Sequence, residues 1–282
     1  MNILELQNIN FAYEAKPVLQ NINLQFEQGQ TIAVLGSNGA GKSTLFLLLN
    51  GVHTATEGRI LLNGQVIQHT KSDLQRLRSQ VGIVFQNPDD QVFSSSVAKD
   101  IAFGLLNQGM NSELAMQEVK SIAAQLKITH LLELPTHALS FGQKKIVAIA
   151  GILVMRPKVI VLDEPTAGLD PNGVSEVLSL LNKIKKELGM TVILSTHEID
   201  LVPLYCEQAV VLSCGSVVFA GSTEELFAQP EQLRKFGLRL PRIAHLMGIL
   251  HDKDNLPVDK NAATISQARS SIKKLLTEVK LT

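Results

Sequence analysis

At 282 residues with 45% hydrophobic side chains, the chain can bury a substantial core, as one large domain or as two subdomains with a tail. Its 26 basic and 26 acidic residues cancel, Trp is absent and aromatics reach only 4%. That balance excludes a net pull toward nucleic acid and argues against aromatic platforms for stacked bases. The two cysteines, Cys206 and Cys214, fit no zinc spacing and read as reduced small hydrophobes of a cytoplasmic protein. The start, Met1-Asn2-Ile3-Leu4-Glu5, has no charged n-region and no h-region, so no signal peptide is expected. The longest apolar run, residues 146–155, is half a membrane span and stops at Arg156.

Apolar and polar positions alternate in residues 1–35 (Ile3, Leu4, Leu6, then Leu19, Ile22, Leu24), which predicts antiparallel strands and a turn at Gln28-Gly29-Gln30. Tyr13 falls here, as an aromatic placed to stack on an adenine ring or as a half-exposed strand residue. Thr31-Ile32-Ala33-Val34-Leu35 is apolar throughout and reads as a buried parallel strand. It runs into Gly36-Ser37-Asn38-Gly39-Ala40-Gly41-Lys42-Ser43-Thr44 and then a helix start that stops at Asn50-Gly51. Strand, glycine-rich loop and helix start in that order make a P-loop. The glycines let successive N–H groups face one point, where they and the positive helix end hold phosphate. Lys42 is expected to reach the β- and γ-phosphates of a nucleoside triphosphate, and the Ser43 hydroxyl to ligate Mg²⁺.

Residues 58–67 form a hairpin, because Asn63-Gly64 suits a two-residue type I′ turn. Val81-Gly82-Ile83-Val84-Phe85 is another buried strand, ending at Gln86. From Asn87 the spacing becomes helical, at 97–103 and 113–126; Pro135 interrupts, Ser140 opens a helix through Met155, and Pro157 ends it. Strands return at 159–162 and 191–194 around an amphipathic helix at 174–188. The fold class is therefore α/β, with an antiparallel β subdomain and a helical insertion at about 87–157. After Gly221 no strand is expected. Ile243, Leu246, Met247 and Leu250 share one helical face, as do Ile265, Ala268, Ile272, Leu275, Leu276 and Val279. Residues 1–225 are thus read as the nucleotide-binding domain and 226–282 as a helical tail.

The strand at 159–162 delivers Asp163 and Glu164 at its C-terminal end, where parallel sheets place ligands. Beside a P-loop, Asp163 is expected to hold Mg²⁺ through water and Glu164 to polarise the attacking water. Gln86 ends its own strand within reach of metal or water, and His197 follows a strand where an imidazole can hydrogen-bond a γ-phosphate. Each of these, taken singly, equally reads as a polar residue at a strand end turning into solvent.

Leu139-Ser140-Phe141-Gly142-Gln143 resembles the signature motif of ATP-binding-cassette (ABC) ATPases. The resemblance covers residues 1 to about 225, with motifs in family order. Tyr13 matches the adenine-stacking aromatic, residues 36–44 the Walker A loop and Gln86 the Q-loop. Asp163 and Glu164 match Walker B, Ala167-Gly168-Leu169-Asp170 the D-loop, and His197 the switch histidine. It implies a P-loop fold that binds ATP and Mg²⁺, with Ser43, Gln86 and Asp163 at the metal and Glu164, His197 and Gln86 in catalysis. It also implies that Ser140, Gly142 and Gln143 meet the ATP held by a second subunit, in a head-to-tail dimer. Ser140 as a natural N-cap gives that helix end its physical basis, and equally fits an ordinary capped helix.

Within the family, Phe85-Gln86-Asn87-Pro88-Asp89-Asp90-Gln91-Val92-Phe93 resembles the energy-coupling-factor ATPases, and Arg239-Leu240-Pro241-Arg242-Ile243 the tail of their cobalt/nickel members. This implies a peripheral subunit on the cytoplasmic face of the cell membrane, docked on a transmembrane coupling subunit that supports a substrate-binding membrane subunit. Cobalt or nickel uptake is the expected task. Vitamin uptake is the alternative, and a soluble ABC ATPase acting on DNA or ribosomes fits less well. The groove from Asn87 to Phe103 is expected to take the coupling helices, with Asp89, Asp90 and Asp100 either facing basic residues or simply solvated. Phe141 replaces the commoner first Gly of the signature, and Ile146 stands where the family usually has Arg. Because Glu164, His197 and the signature coexist in one chain, a homodimer with two competent sites is expected, a heterodimer being the alternative.

Overall fold

A computed structural model describes the backbone of residues 1–280 and the side chains of 1–277; Val279 lies outside the described side chains. The chain runs β1 (Asn2–Tyr13), β2 (Lys16–Glu27), β3 (Thr31–Leu35), α1 (Lys42–Leu49), β4 (Glu57–Leu62), β5 (Gln65–Val66), α2 (Lys71–Gln80) and β6 (Val81–Val84). Next come α3 (Val97–Asn107), α4 (Ser112–Gln125), α5 (Phe141–Leu153), β7 (Val159–Leu162), α6 (Pro171–Leu188), β8 (Thr191–Ser195) and the short α7 (Val202–Tyr205). β9 (Gln208–Ser213), β10 (Ser216–Ser222), α8 (Thr223–Phe227), α9 (Pro230–Lys235), α10 (Arg242–Asp252) and α11 (Ile265–Lys280) complete it.

Two sheets form. β2-β1-β4-β5 is antiparallel, and β10-β9-β3-β8-β7-β6 is parallel except for its β10 edge. All five residues of β3 are buried because both faces of its sheet are covered. Ile32 and Val34 point into one core with Phe26, Leu45, Phe46 and Leu49, so α1 is sandwiched between the two sheets. Ala33 and Leu35 point the other way, into a core built with α3, α4, α5 and α6. The period of two along one strand thus joins both layers. The β4–β5 turn has Asn63 and Gly64 at φ 52° and 76°, as a type I′ hairpin requires.

Some elements escaped the sequence reading. α2 lies between the hairpin and β6, capped by Thr70 Oγ1, which accepts from Asp73 N. β9 and β10 form a hairpin that carries the parallel sheet one strand beyond β3 and then ends it antiparallel. Leu226, Phe227 and Leu233 are buried in the main core, so α8 and α9 pack on the α/β body. A separate helical cluster begins only with α10, where Met247, Val258, Ala262 and Ala268 pack with Ile243, Leu250 and Leu275. The two tail stripes therefore face each other, while Leu246, Ile265 and Leu276 stay exposed. Asp200 ties this hairpin to the body, accepting from Arg242 N at 2.6 Å and from Arg239 Nη2 at 3.0 Å.

Candidate active site

Four neighbouring parallel strands, β3, β8, β7 and β6, end on the same side, and each leads within a few residues into the site. That edge is where parallel sheets bind ligands, because the loops there are free of crossover packing. After β3, the loop turns through Gly36, where an added Cβ would sit 2.3 Å from the Leu212 carbonyl oxygen. It enters α1 through Gly41, at φ 104°, where a Cβ would meet Leu19 Cδ2 at 2.7 Å. Any other residue at either point would push the loop off its curve. Lys42, almost fully buried, donates to Gly36 O at 2.8 Å and Ser37 O at 3.2 Å. Burial lowers its pKa, against the opposing pull of Glu164 and Asp163.

Asn38, Gly39, Gly41, Lys42, Ser43 and Thr44 line a cleft of about 660 Å³ whose far wall holds Gln86 and Glu164. Glu164 is gripped by both carboxylate oxygens. Oε1 lies 2.8 Å from His197 Nε2, and Oε2 accepts from Gln86 Nε2 at 3.0 Å. Its backbone is left-handed, at φ 47°, a conformation that a non-glycine residue holds only when its surroundings over-determine it. Ser195 supplies part of that hold. Fully buried at the end of β8, its Oγ accepts from Glu164 N at 2.9 Å and donates to Asp163 Oδ1 at 2.6 Å. The two adjacent carboxylates are thereby set by one hydroxyl, Asp163 buried and Glu164 presented to the cleft.

The structure thus brings together the loop residues, Gln86, Asp163, Glu164 and His197. It does not bring the signature residues to them. Ser140 caps α5 in a capping box: Gln143 N donates to Ser140 Oγ, and Ser140 N to Gln143 Oε1. Ser140, Gly142 and Gln143 lie outside the cleft lining, and Phe141 packs its ring against Gly168. Tyr13 is also off the lining. It stands half-exposed, edge-on to Phe11 and His53, with its hydroxyl 2.9 Å from His53 Nε2.

One departure and the three acidic residues noted in the sequence find places. Ile146 is partly buried against the helical core, so an apolar side chain suits its position. Asp89 pairs with Lys144 at 2.6 Å, and Asp100 Oδ1 caps the turn at Phe93 N and Ser94 N. Neither is a free acidic group waiting for a base; Asp90 alone of the three stays exposed without such an engagement among the described residues.

Sequence reasoning missed Lys16, Cys214 and Gly215 at the cleft, the buried Ser195 behind its carboxylates, and the burial of Lys145. Ser195 was legible as the last residue of an apolar strand, but its two partners are not local. The cysteines differ from each other: burial pushes the Cys206 thiol up to about 12, whereas Cys214 is exposed on the β9–β10 turn and is no core residue. Among the described residues, no helix is long and apolar enough to cross a membrane.

Comparison with known proteins agrees with this geometry. The family model described as "ABC transporter" matches residues 19–167. The chain is 48% identical over 271 residues to an energy-coupling factor transporter ATP-binding protein (EcfA3) of Clostridium perfringens, covering 96% of this chain and 95% of that one. It is 46% identical over 279 residues to EcfA of Methanocaldococcus jannaschii, covering 99% of each. Among solved structures it superposes on CbiO1 of Clostridium perfringens, part of the ABC transporter complex CbiONQ, with a TM-score of 0.75 and 48% identity over 87% of this chain and 98% of that one. A P-loop, two carboxylates at the end of β7, one strand removed in the same sheet, and a capped helix turned away from both accompany relatives that place this chain in the ABC transporter family, as an ATP-hydrolysing subunit of the energy-coupling-factor type.

Proposed function

We propose that the chain powers uptake of cobalt or nickel ions by a membrane importer, working as a homodimer on the cytoplasmic face of the membrane. The observation that carries the dimer is the split between the two halves of the site. Lys42 and Glu164 share one cleft, while the capped end of α5 lies off that cleft and meets no phosphate-binding loop among the described residues. The donors at that helix end suit a phosphate held by a second copy.

Mg²⁺ fits the residues present. Ser43 is an exposed hydroxyl in the cleft, Gln86 keeps its amide oxygen once Nε2 is committed to Glu164, and Asp163 is a buried carboxylate with one oxygen on Ser195. Such hard oxygen donors suit this cation, which would neutralise charge on the phosphates. Lys42 orients the phosphates, Glu164 accepts a proton from the attacking water, and His197 and Gln86 hold Glu164 in place for it.

Docking to a membrane coupling subunit is supported by an exposed aromatic pair. Phe93 and Phe103 meet edge-on at 4.9 Å, 65% and 45% exposed, beside Leu106 on the outer side of α3. A patch of that kind on a polar surface marks an interaction site. The cobalt/nickel assignment rests on the Arg239–Ile243 segment, whose two arginines anchor the tail to Asp200 three residues beyond His197.

Two experiments test this reading. The complex purified through this chain, reconstituted in vesicles, should take up Co²⁺ or Ni²⁺ only when ATP is supplied on this chain's side. Vitamin uptake in place of metal uptake would overturn the substrate assignment. For the dimer, Ser140→Arg in one chain and Lys42→Ala in the other place both lesions in one composite site and leave its twin intact. That mixed dimer should keep measurable ATP hydrolysis, whereas a chain carrying both changes paired with wild type should lose most of it. Equal rates in the two arrangements would contradict the head-to-tail pairing.

A further inference from the structure

Lys145 lies on α5, five positions after the cap, and is 0% exposed, against 7% for Lys42 and 8% for Lys185. A buried ammonium is expensive to desolvate, and an apolar side chain of the same length would pack there without that penalty. Its charge therefore needs partners, and they are specific. Nζ donates to the backbone carbonyls of Gln86 and of Glu164, the latter at 3.3 Å, and rests 5.6 Å from the Phe141 ring centroid. Those carbonyls belong to the two residues whose side chains meet each other on the far wall of the cleft, Gln86 Nε2 to Glu164 Oε2 at 3.0 Å. One ammonium thus pins both backbones from below while their side chains engage above.

The neighbour extends the grip. Lys144 reaches Asp89 in the turn just after Gln86, so consecutive lysines of one helix hold the same segment. Glu164 gains most from this, since its left-handed backbone needs restraint on the carbonyl side as well as from Ser195 on the amide side.

Resting on the ATPase reading above, we propose that Lys145 is a positioning residue that locks the signature helix to the backbone of Gln86 and Glu164, so that the helix end serving one ATP and the carboxylate serving the other move as one body. The lysine touches no substrate atom. Its effect is on the alignment of Glu164 for water, which belongs to turnover, and leaves the phosphate-binding loop, which belongs to affinity, unchanged.

The test uses the complex purified through this chain, with wild type, Lys145→Met and Lys145→Gln compared side by side. Met fills the same space without charge, and Gln keeps a shorter donor. Kd for a fluorescent ATP analogue, kcat and KM for ATP, and the melting temperature are measured for each. The expected result for Lys145→Met is an unchanged Kd and KM with kcat lowered about tenfold or more, and partial recovery of kcat in Lys145→Gln, in line with an effect confined to the transition state. Should Lys145→Met fail to fold, a lowered kcat at unchanged Kd in Lys145→Gln supports the same role. A kcat within about twofold of wild type in both variants would overturn it, as would parallel losses of kcat, affinity and melting temperature. A wild-type complex without ATP hydrolysis would instead defeat the ATPase reading, so the two failures are distinct.

Discussion

Glu164→Gln is expected to keep ATP bound and to lower its hydrolysis by roughly 10²–10⁴-fold, the range supplied by a positioned general base. The change conserves volume and leaves both backbone restraints in place, the Ser195 hydroxyl on the amide and the Lys145 ammonium on the carbonyl. What it removes is a carboxylate that accepts on both oxygens, from Gln86 at 3.0 Å and opposite His197 at 2.8 Å. An amide has one acceptor and one donor end. Its oxygen can still take the Gln86 bond, and its nitrogen then faces His197 Nε2, which can accept only in the Nδ1–H tautomer. The site therefore stays formed but holds no base for water. Steady-state hydrolysis and ATP retention on the purified complex measure the two effects separately. Turnover near the wild-type rate would remove Glu164 from the role of base.

Lys42→Ala should fail earlier, at binding. Lys42 carries the loop's full positive charge, and its ammonium, which donates to the Gly36 and Ser37 carbonyls, is placed to exchange them for phosphate oxygens. Losing one partner of a desolvated charge pair costs about 2–5 kcal/mol, which raises Kd by roughly 30-fold or more. The fold should survive, because Lys42 itself lines the cleft and its truncation leaves room for water to reach the two freed carbonyls. Equilibrium titration with a fluorescent ATP analogue reads the effect. An unchanged Kd would mean that the loop is not where the phosphates sit.

The sequence by itself determined the parts of this protein whose cause is local. The run from Thr31 to Thr44 contains its own strand, turn glycines and helix start, so the P-loop is legible without any distant contact. Ser140 and Gln143 write the cap of α5 within four residues, and Asn63-Gly64 writes its hairpin turn. The ends of β6, β7 and β8 were equally readable, since each buried apolar run stops at a polar residue.

Only the tertiary structure decided which of those polar ends face one another. Gln86 and Glu164 are 78 residues apart, and they meet because β6 and β7 are neighbours in a parallel sheet whose order no local pattern encodes. Ser195 serves Asp163 for the same reason, through the pairing of β7 with β8. Nothing local marks Lys145 for burial, yet it is buried because α5 packs its side against the sheet edge that carries Gln86 and Glu164. α8 and α9 read as tail but insert Leu226, Phe227 and Leu233 into the main core, since an apolar helix face joins whichever surface the preceding chain presents to it. Burial and pairing across tens of residues depend on how layers stack, whereas turns, caps and phosphate loops depend on backbone freedom at a few adjacent positions.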